Sequence, residues 1–391
     1  MQAAFIYDAA LSRYQLSENH PFKPVRLELT RTLLELSGLL SAEHLVAPAP
    51  LAEKALYAVH ERRYVELVKR ASGTQEVPEA YSYGLGTGDN PIFPQMHEAI
   101  MRVCAATVTA IDVVASGKAQ RAVNLSGGLH HAHRAKASGF CLYNDLALGI
   151  HHAVTNYGLR VAYVDLDAHH GDGVQELFYD ASEVMTISLH ESGRYLFPGT
   201  GYTYETGQGA GRGLSVNVPL EPYTDDASYL AVFEAVVPMA LRQFRPDLIV
   251  LQAGADMHRY DPLADLLLSV QGMAQSYRRM CELADELCGG RLVATGGGGY
   301  DPYRTVPRAW AYLWAHVSAQ PISSYIPDRW HELWQSESPV PLPETLLDSL
   351  AEWPEVARRQ EIASQNLATV KRLLQALAPI WQERFGTAHA L

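Results

Sequence analysis

Short, uninterrupted apolar runs alternate along the chain with longer stretches whose apolar residues recur every three or four positions. The runs fall at residues 3–7, 123–125, 161–165, 184–189, 248–252 and 292–294, and an unbroken apolar run of that length reads as a strand covered on both faces. Helical spacing fills the intervals: residues 27–36, a helical pair within 51–69, then 96–116, 144–156, 173–179, 225–244 and 271–287. Pro21 and Pro24 stiffen the approach to the first helix, and Gly117 stops the one ending at 116. Between 74 and 93 the periodicity gives way to Gly84, Gly86, Gly88, Asp89, Asn90 and Pro91, the composition of a surface loop that shapes a site on an α/β scaffold. Late in the chain a proline-rich interval, 321–343, carries Trp330 and Trp334 and reads as a wrapping segment, followed by helices at 346–351 and 366–377.

Apolar strands separated by crossover-length helices predict an α/β fold, with a largely parallel sheet covered by helices on both faces. No linker or composition shift divides the chain, so residues 1–391 read as a single domain. Ligands in such sheets bind beyond the carboxyl ends of the strands.

Composition narrows this picture. The 48% hydrophobic content is ample for a large core. No apolar run approaches ~18 residues and neither end carries a secretory pattern, so a cytoplasmic protein without a membrane span is expected. Net charge is -12, from 31 basic and 43 acidic residues, which argues against a nucleic-acid partner and mildly favours a cationic substrate. Cys104, Cys141, Cys281 and Cys288 match no thiolate clamp or CxxC pair, and read as reduced thiols, the last two on one helix.

The chemistry concentrates just after the predicted strands. Asp167 and His169, two apart at an extended strand end, point the same way, and Asp256 ends the separate run LIVLQAGAD at the equivalent edge. Two carboxylates and one imidazole can hold a transition metal and leave a position open for water; the alternative is that these aspartates cap the helices that follow. Asp165 lies deeper on the same side and needs a partner if buried, and Asp172 follows closely. His130 and His131 can each donate a ring N–H to one of these acids; they can equally both be ligands, or form a polar turn. Tyr300, after four glycines, can bring a phenol to a developing oxyanion. Phe140 and Phe197 are candidate walls of a narrow channel, and are otherwise core residues.

HPFKPVR at 20–26, GGLHHA at 127–132, GFCLYND at 139–145, VDLDAHHGDGVQ at 164–175, FPGTG at 197–201, QAGAD at 252–256 and GGGGY at 296–300 occur in the order found in the zinc-dependent histone deacetylases. The sequence resembles that family, class I-like in its motifs, and within it the bacterial acetoin-utilisation (AcuC-type) branch. The resemblance spans residues 5–310 and leaves 311–391 as a C-terminal wrapping extension. It implies the single-domain arginase/deacetylase architecture with the metal at the C-terminal strand ends. It further implies Asp167, His169 and Asp256 as ligands of one zinc ion (Fe2+ being an alternative in cells), and His130 and His131 as catalytic histidines oriented by Asp165 and Asp172. Tyr300 would polarise the scissile carbonyl. Phe140 and Phe197 would line the acyl-lysine tunnel with Gly139 as a backbone contact, while Asp89 and Leu263 would form the rim. A structural potassium ion would involve Asp165, Asp167, His169, Ser188 and Leu189. Arg26, which by itself reads as a helix-surface residue, matches an internal arginine near an acetate-release cavity.

The implied activity is hydrolysis of acetyl-lysine to lysine and acetate, with His131 as general base, on non-histone proteins such as acyl-CoA synthetases. The stretch MHRYDPLADLLLS after Asp256 is bulkier and more polar than in many eukaryotic relatives, so histone tails are not assumed. Small acetylated amines, including polyamines, are the alternative substrates. A binuclear manganese arginase-like hydrolase and a non-catalytic binding protein are remoter readings. A homo-oligomer is compatible with the apolar C-terminal segments.

Overall fold

The computed structural model describes residues 1–73 and 77–386; the start of the glycine-rich loop expected at 74–93 therefore lies outside the described residues. Eight strands form one sheet: β1 (Ala3–Ile6), β2 (Leu45–Val46), β3 (Arg121–Asn124), β4 (Val161–Asp165), β5 (Val184–Glu191), β6 (Ser215–Leu220), β7 (Leu248–Gln252) and β8 (Leu292–Thr295). Their order is β2-β1-β3-β8-β7-β4-β5-β6, and every pairing is parallel. All residues of β1, β3, β4, β5, β7 and β8 are buried. Side chains alternate across a strand, so burial without alternation means that helices cover both faces.

The helices are α1 (Val25–Leu36), α2 (Arg62–Ala71), α3 (Met96–Ala115), α4 (Asp145–Tyr157), α5 (Asp172–Leu177), α6 (Asp226–Phe244), α7 (Val270–Cys288), α8 (Val306–Val317), α9 (Asp328–Trp334) and α10 (Arg359–Phe385). Side-chain caps start several of them. Asn144 accepts from the Ala147 N–H at the head of α4, Asp225 from Ser228 at α6, and Ser269 from Gly272 at α7. No helix among the described residues is long and apolar enough to cross a membrane. The four cysteines are free and buried.

Three elements differ from the pattern-based expectation. The helix α8, VPRAWAYLWAHV, is buried at every position but His316, and its polar stripe narrows to Arg308, Tyr312 and His316. Strand β6 contains Pro219 yet sits at the sheet edge, where a missing N–H costs no ladder bond. The helix expected at 346–351 does not form; only a single 3-10 turn, Leu350–Glu352, is present. The Gln271 side chain takes the place of helical bonds there, accepting from the Asp348 N–H at 3.0 Å and donating to its carbonyl at 2.8 Å.

The sheet order decides where chemistry can gather. Strands β3, β8, β7 and β4 are contiguous at the centre, and the loops leaving their carboxyl ends carry residues 125–144, 296–305, 253–269 and 166–171. Every acid, imidazole and phenol singled out above except Asp89 and Asp172 lies at those four strand ends or in these loops, and Asp172 opens α5 immediately after the last of them.

Candidate active site

Asp167, His169 and Asp256 offer three ligand atoms that all lie within 4.8 Å of one another, and all three residues are buried. The His169 Nδ1 is 2.9 Å from Asp256 Oδ2 and 3.3 Å from Asp167 Oδ1. Backbone amides aim the carboxylates: Gly298 N–H donates to Asp167 Oδ2 at 2.7 Å, and Ala168 N–H to Asp256 Oδ1 at 2.9 Å. A side chain at Gly298 would put its Cβ 1.9 Å from Asp256 Oδ2, so the glycine run is what lets the β8 loop press against the ligands.

The donor set fits a divalent cation. Burial, and then the neighbouring Asp167 charge, pushes the Asp256 carboxyl up to about 7, whereas His169 is held strongly toward its charged form by the two acids against the cost of burial. Two carboxylates forced together without water need a positive charge between them, and a divalent ion bound by oxygen and nitrogen supplies it. The histidine and the two aspartates therefore form a divalent-metal site.

Two imidazole–carboxylate pairs stand beside this cluster. His130 Nδ1 is 2.8 Å from Asp165 Oδ2, and His131 Nδ1 is 2.7 Å from Asp172 Oδ1; the two rings are 4.0 Å apart. Each carboxylate fixes the Nδ1–H tautomer and leaves Nε2 free. Their environments separate them. Burial opposes charge on His130, but Asp165 and Asp167 outweigh it and raise its pKa to about 9. At His131, burial and then the charge of His130 pull the pKa down to about 4, against Asp172. The two rings are thus pushed in opposite directions, His130 toward its charged form and His131 toward its neutral one.

The Tyr300 ring packs edge-on between Phe140, with centroids 5.7 Å apart, and His169, 6.3 Å apart. Phe197 lies edge-on to His131 at 5.0 Å. Gly139 is at φ +49°, and a Cβ there would fall 2.4 Å from His131 and 2.8 Å from Phe197, so these two rings close up against a glycine. His20 links the Asp89 loop to Phe140: its Nε2 is 3.2 Å from the Asp89 carbonyl and its ring is 4.4 Å from Phe140. The Asp89 carboxylate itself is exposed. Leu263 is half-buried on the β7 loop, its N–H donating to Asp261. Of the residues grouped for a monovalent ion, Asp165 and Ser188 are register partners across β4 and β5. Arg26 is buried, 4.3 Å above Phe22 and 5.0 Å from Trp310, and donates to the Gly299 carbonyl next to Tyr300.

Several supporting residues escaped the sequence reading. Asp145 accepts from the Gly128 and Leu129 N–H groups at 3.1 and 2.8 Å and from Thr107 at 2.5 Å, fixing the turn before the paired histidines. Asn144 donates to the Ala132 and His130 carbonyls while capping α4. Both stand in the quoted motif GFCLYND, which was the available signal. Glu191 had none. It is 2% exposed, one oxygen accepts the Asp265 N–H at 2.7 Å, and the other has no hydrogen-bond partner.

Burial raises the Glu191 pKa to about 6. A carboxyl raised in this way binds its proton more tightly folded than unfolded, so stability falls as pH rises from ~4.3 toward 6. Glu191→Gln is therefore expected to raise the Tm at pH 7.5, by on the order of 1 kcal/mol in stability, and to leave it nearly unchanged at pH 4.5. Melting curves at the two pH values check this; an equal shift at both would contradict it.

A parallel α/β sheet with a buried Asp–His–Asp cluster and paired imidazoles at its carboxyl edge defines a metal-dependent amidohydrolase of the deacetylase class. Residues 20–317 match the histone deacetylase domain model. The chain is 43% identical over 376 residues to the acetoin utilization protein AcuC of Bacillus subtilis, covering 96% of this chain and 97% of that one. It is 40% identical over 367 residues to AcuC of Staphylococcus aureus, covering 93% and 94%. An HDAC homolog from Aquifex aeolicus superimposes with a TM-score of 0.84 at 30% identity, over 95% of this chain and 100% of that one; an HDAC homolog complexed with SAHA gives 0.85 with the same identity and coverage. The chain belongs to the histone deacetylase domain family, in its AcuC-type branch.

Proposed function

We propose that the protein hydrolyses N-acetyl-lysine side chains of proteins other than histones to lysine and acetate, with zinc as its metal. What carries this reading is the pair of imidazoles, each held at Nδ1 by its own carboxylate and set side by side against the Asp167–His169–Asp256 cluster. Bound there, zinc or Fe2+ would polarise the amide carbonyl and make a water molecule easier to deprotonate. The chain's own groups do the rest. His131 takes a proton from the attacking water at Nε2 while Asp172 steadies the imidazolium at Nδ1. His130, held toward its charged form by Asp165, offers positive charge to the tetrahedral oxyanion, and the Tyr300 hydroxyl donates a hydrogen bond to the same oxygen. The C–N bond breaks as His131 returns the proton to the departing amine, giving acetate and a free amine with no acyl-enzyme.

Phe140 and Phe197 confine the aliphatic stem of the acyl-lysine, Gly139 contacts it through its backbone, and Asp89 and Leu263 meet the substrate at the rim. A potassium ion on the Asp165, Asp167, His169, Ser188 and Leu189 set would stiffen the β4–β5 end beneath the metal. A small acetylated amine remains a second substrate class, favoured by the exposed Asp89 carboxylate and the net charge of -12.

The deciding experiment compares acetate release from acetyl-lysine peptides, an acetylated acyl-CoA synthetase and acetylspermidine. The protein substrates are expected to give the larger kcat/KM, and preference for acetylspermidine would move the assignment to polyamines. Chelation should abolish turnover on every substrate and zinc should restore it; undiminished activity in the metal-free protein would refute the mechanism.

A further inference from the structure

The family match ends at residue 317, yet a carboxylate from beyond it reaches the back of the site. Asp348 is almost fully buried. It pairs with Arg308 of α8 at 2.8 Å, accepts the Val270 N–H at 2.8 Å, and lies 3.0 Å from His258 Nε2. Gln271 clamps its backbone on both sides. A buried carboxylate with that many fixed partners cannot rotate away without leaving a guanidinium and an imidazole unpaired.

His258 follows the metal ligand Asp256 by two residues and is itself fully buried. Its Nδ1 lies 3.2 Å from the Tyr260 N–H and 3.1 Å from the Thr305 hydroxyl. A backbone N–H can only donate, so Nδ1 accepts, and the ring proton sits on Nε2 and points at Asp348. Thr305 ends the loop that carries Tyr300, and Arg308 lies on the helix after it. One carboxylate of the C-terminal segment thus fastens both the β7 loop, with Asp256, and the β8 loop, with Tyr300.

We propose that Asp348 is a positioning residue of the active site, acting through His258 to hold Asp256 and Tyr300 in the geometry that binds the metal and meets the substrate. The C-terminal extension is on this view part of the catalytic apparatus. The inference rests on Asp256 being a metal ligand, and its first readout, metal affinity, is independent of which acyl amide is hydrolysed.

The test measures zinc affinity of the metal-free full-length chain by competition with a chromophoric chelator, together with kcat and KM on an acetyl-lysine peptide. Asp348→Asn and His258→Gln are each expected to weaken zinc binding about 10-fold or more, the range for outer partners of metal ligands, and to lower kcat with KM changed less than about threefold. The double variant should be no worse than the weaker single one, because both act through one link. Trp381→Phe serves as the control: it loses a hydrogen bond from α10 to the Gly213 carbonyl, before the far-edge strand β6, and the indole donates to neither loop. It should lower the Tm and leave zinc affinity unchanged. If Asp348→Asn does not fold, His258→Gln, which keeps the Asp348–Arg308 pair, decides alone. Zinc affinity within twofold of wild type in the folded variants, or an equal loss in Trp381→Phe, would overturn the proposal. Intact zinc affinity with no deacetylation by the wild type would instead refute only the substrate assignment.

Discussion

His131→Ala is expected to lower kcat on an acetyl-lysine peptide by about 10²–10⁴-fold, the usual contribution of a positioned general base, while zinc remains bound. The reason lies in how differently the two adjacent rings are held. His131 is buried and repelled from its charged form by His130, which favours a neutral acceptor. His130 is pushed the other way by Asp165 and Asp167 and is the poorer acceptor of the two. The truncation should not unfold the chain, because Asp172 keeps the Gly173 N–H at 3.0 Å and the His133 ring at 3.5 Å. Steady-state kinetics with a parallel zinc titration checks this. A variant that keeps more than a tenth of wild-type kcat with metal bound would transfer the base role to another group. His130→Ala should instead lower kcat by a smaller factor, since it removes charge stabilisation and not the proton acceptor.

The Asp167–His169–Asp256 group was legible in the sequence because its members follow the apolar runs of β4 and β7, neighbouring strands whose loops leave the same edge of the sheet. Val161–Asp165 and Leu248–Gln252 were found at their observed limits for that reason. What the residues alone left open was whether His130 and His131 ligate or act as bases; that turns on which carboxylate each faces, a matter of three dimensions. Supporting groups were harder to see. Nothing local marks Asp348 as a partner of His258, ninety positions earlier, and its own segment reads as a short helix until Gln271 is seen to occupy its backbone. Glu191 likewise ends a strand as an ordinary polar residue and becomes unusual only because the β7 loop seals it from water. Helix α8 was harder to see because it is buried at every position but His316, and its polar stripe narrows to Arg308, Tyr312 and His316.

Tyr300→Phe should cost about 10²–10³-fold in kcat, the loss seen when one oxyanion donor is removed, with KM and zinc affinity nearly unchanged. The ring is placed without help from its hydroxyl. Its backbone N–H donates to Asp261 Oδ2 at 2.8 Å, Phe140 and His169 hold its edges, and Arg26 fixes the Gly299 carbonyl before it. Among the described residues the hydroxyl has no hydrogen-bond partner, so its removal leaves no donor or acceptor stranded, and the Tm should move by less than about 2 °C. Burial, and after it the charges of Asp256 and Asp167, keeps the phenol pKa well above its ordinary value. The phenol is thus favoured in its neutral, donating form, and the pH–rate profile of the Phe variant should lie parallel to that of wild type, displaced downward without a change of shape. A kcat within twofold of wild type would show that the oxyanion is met without Tyr300. A changed profile with the same loss would show that the phenol moves a proton and does not simply donate a hydrogen bond.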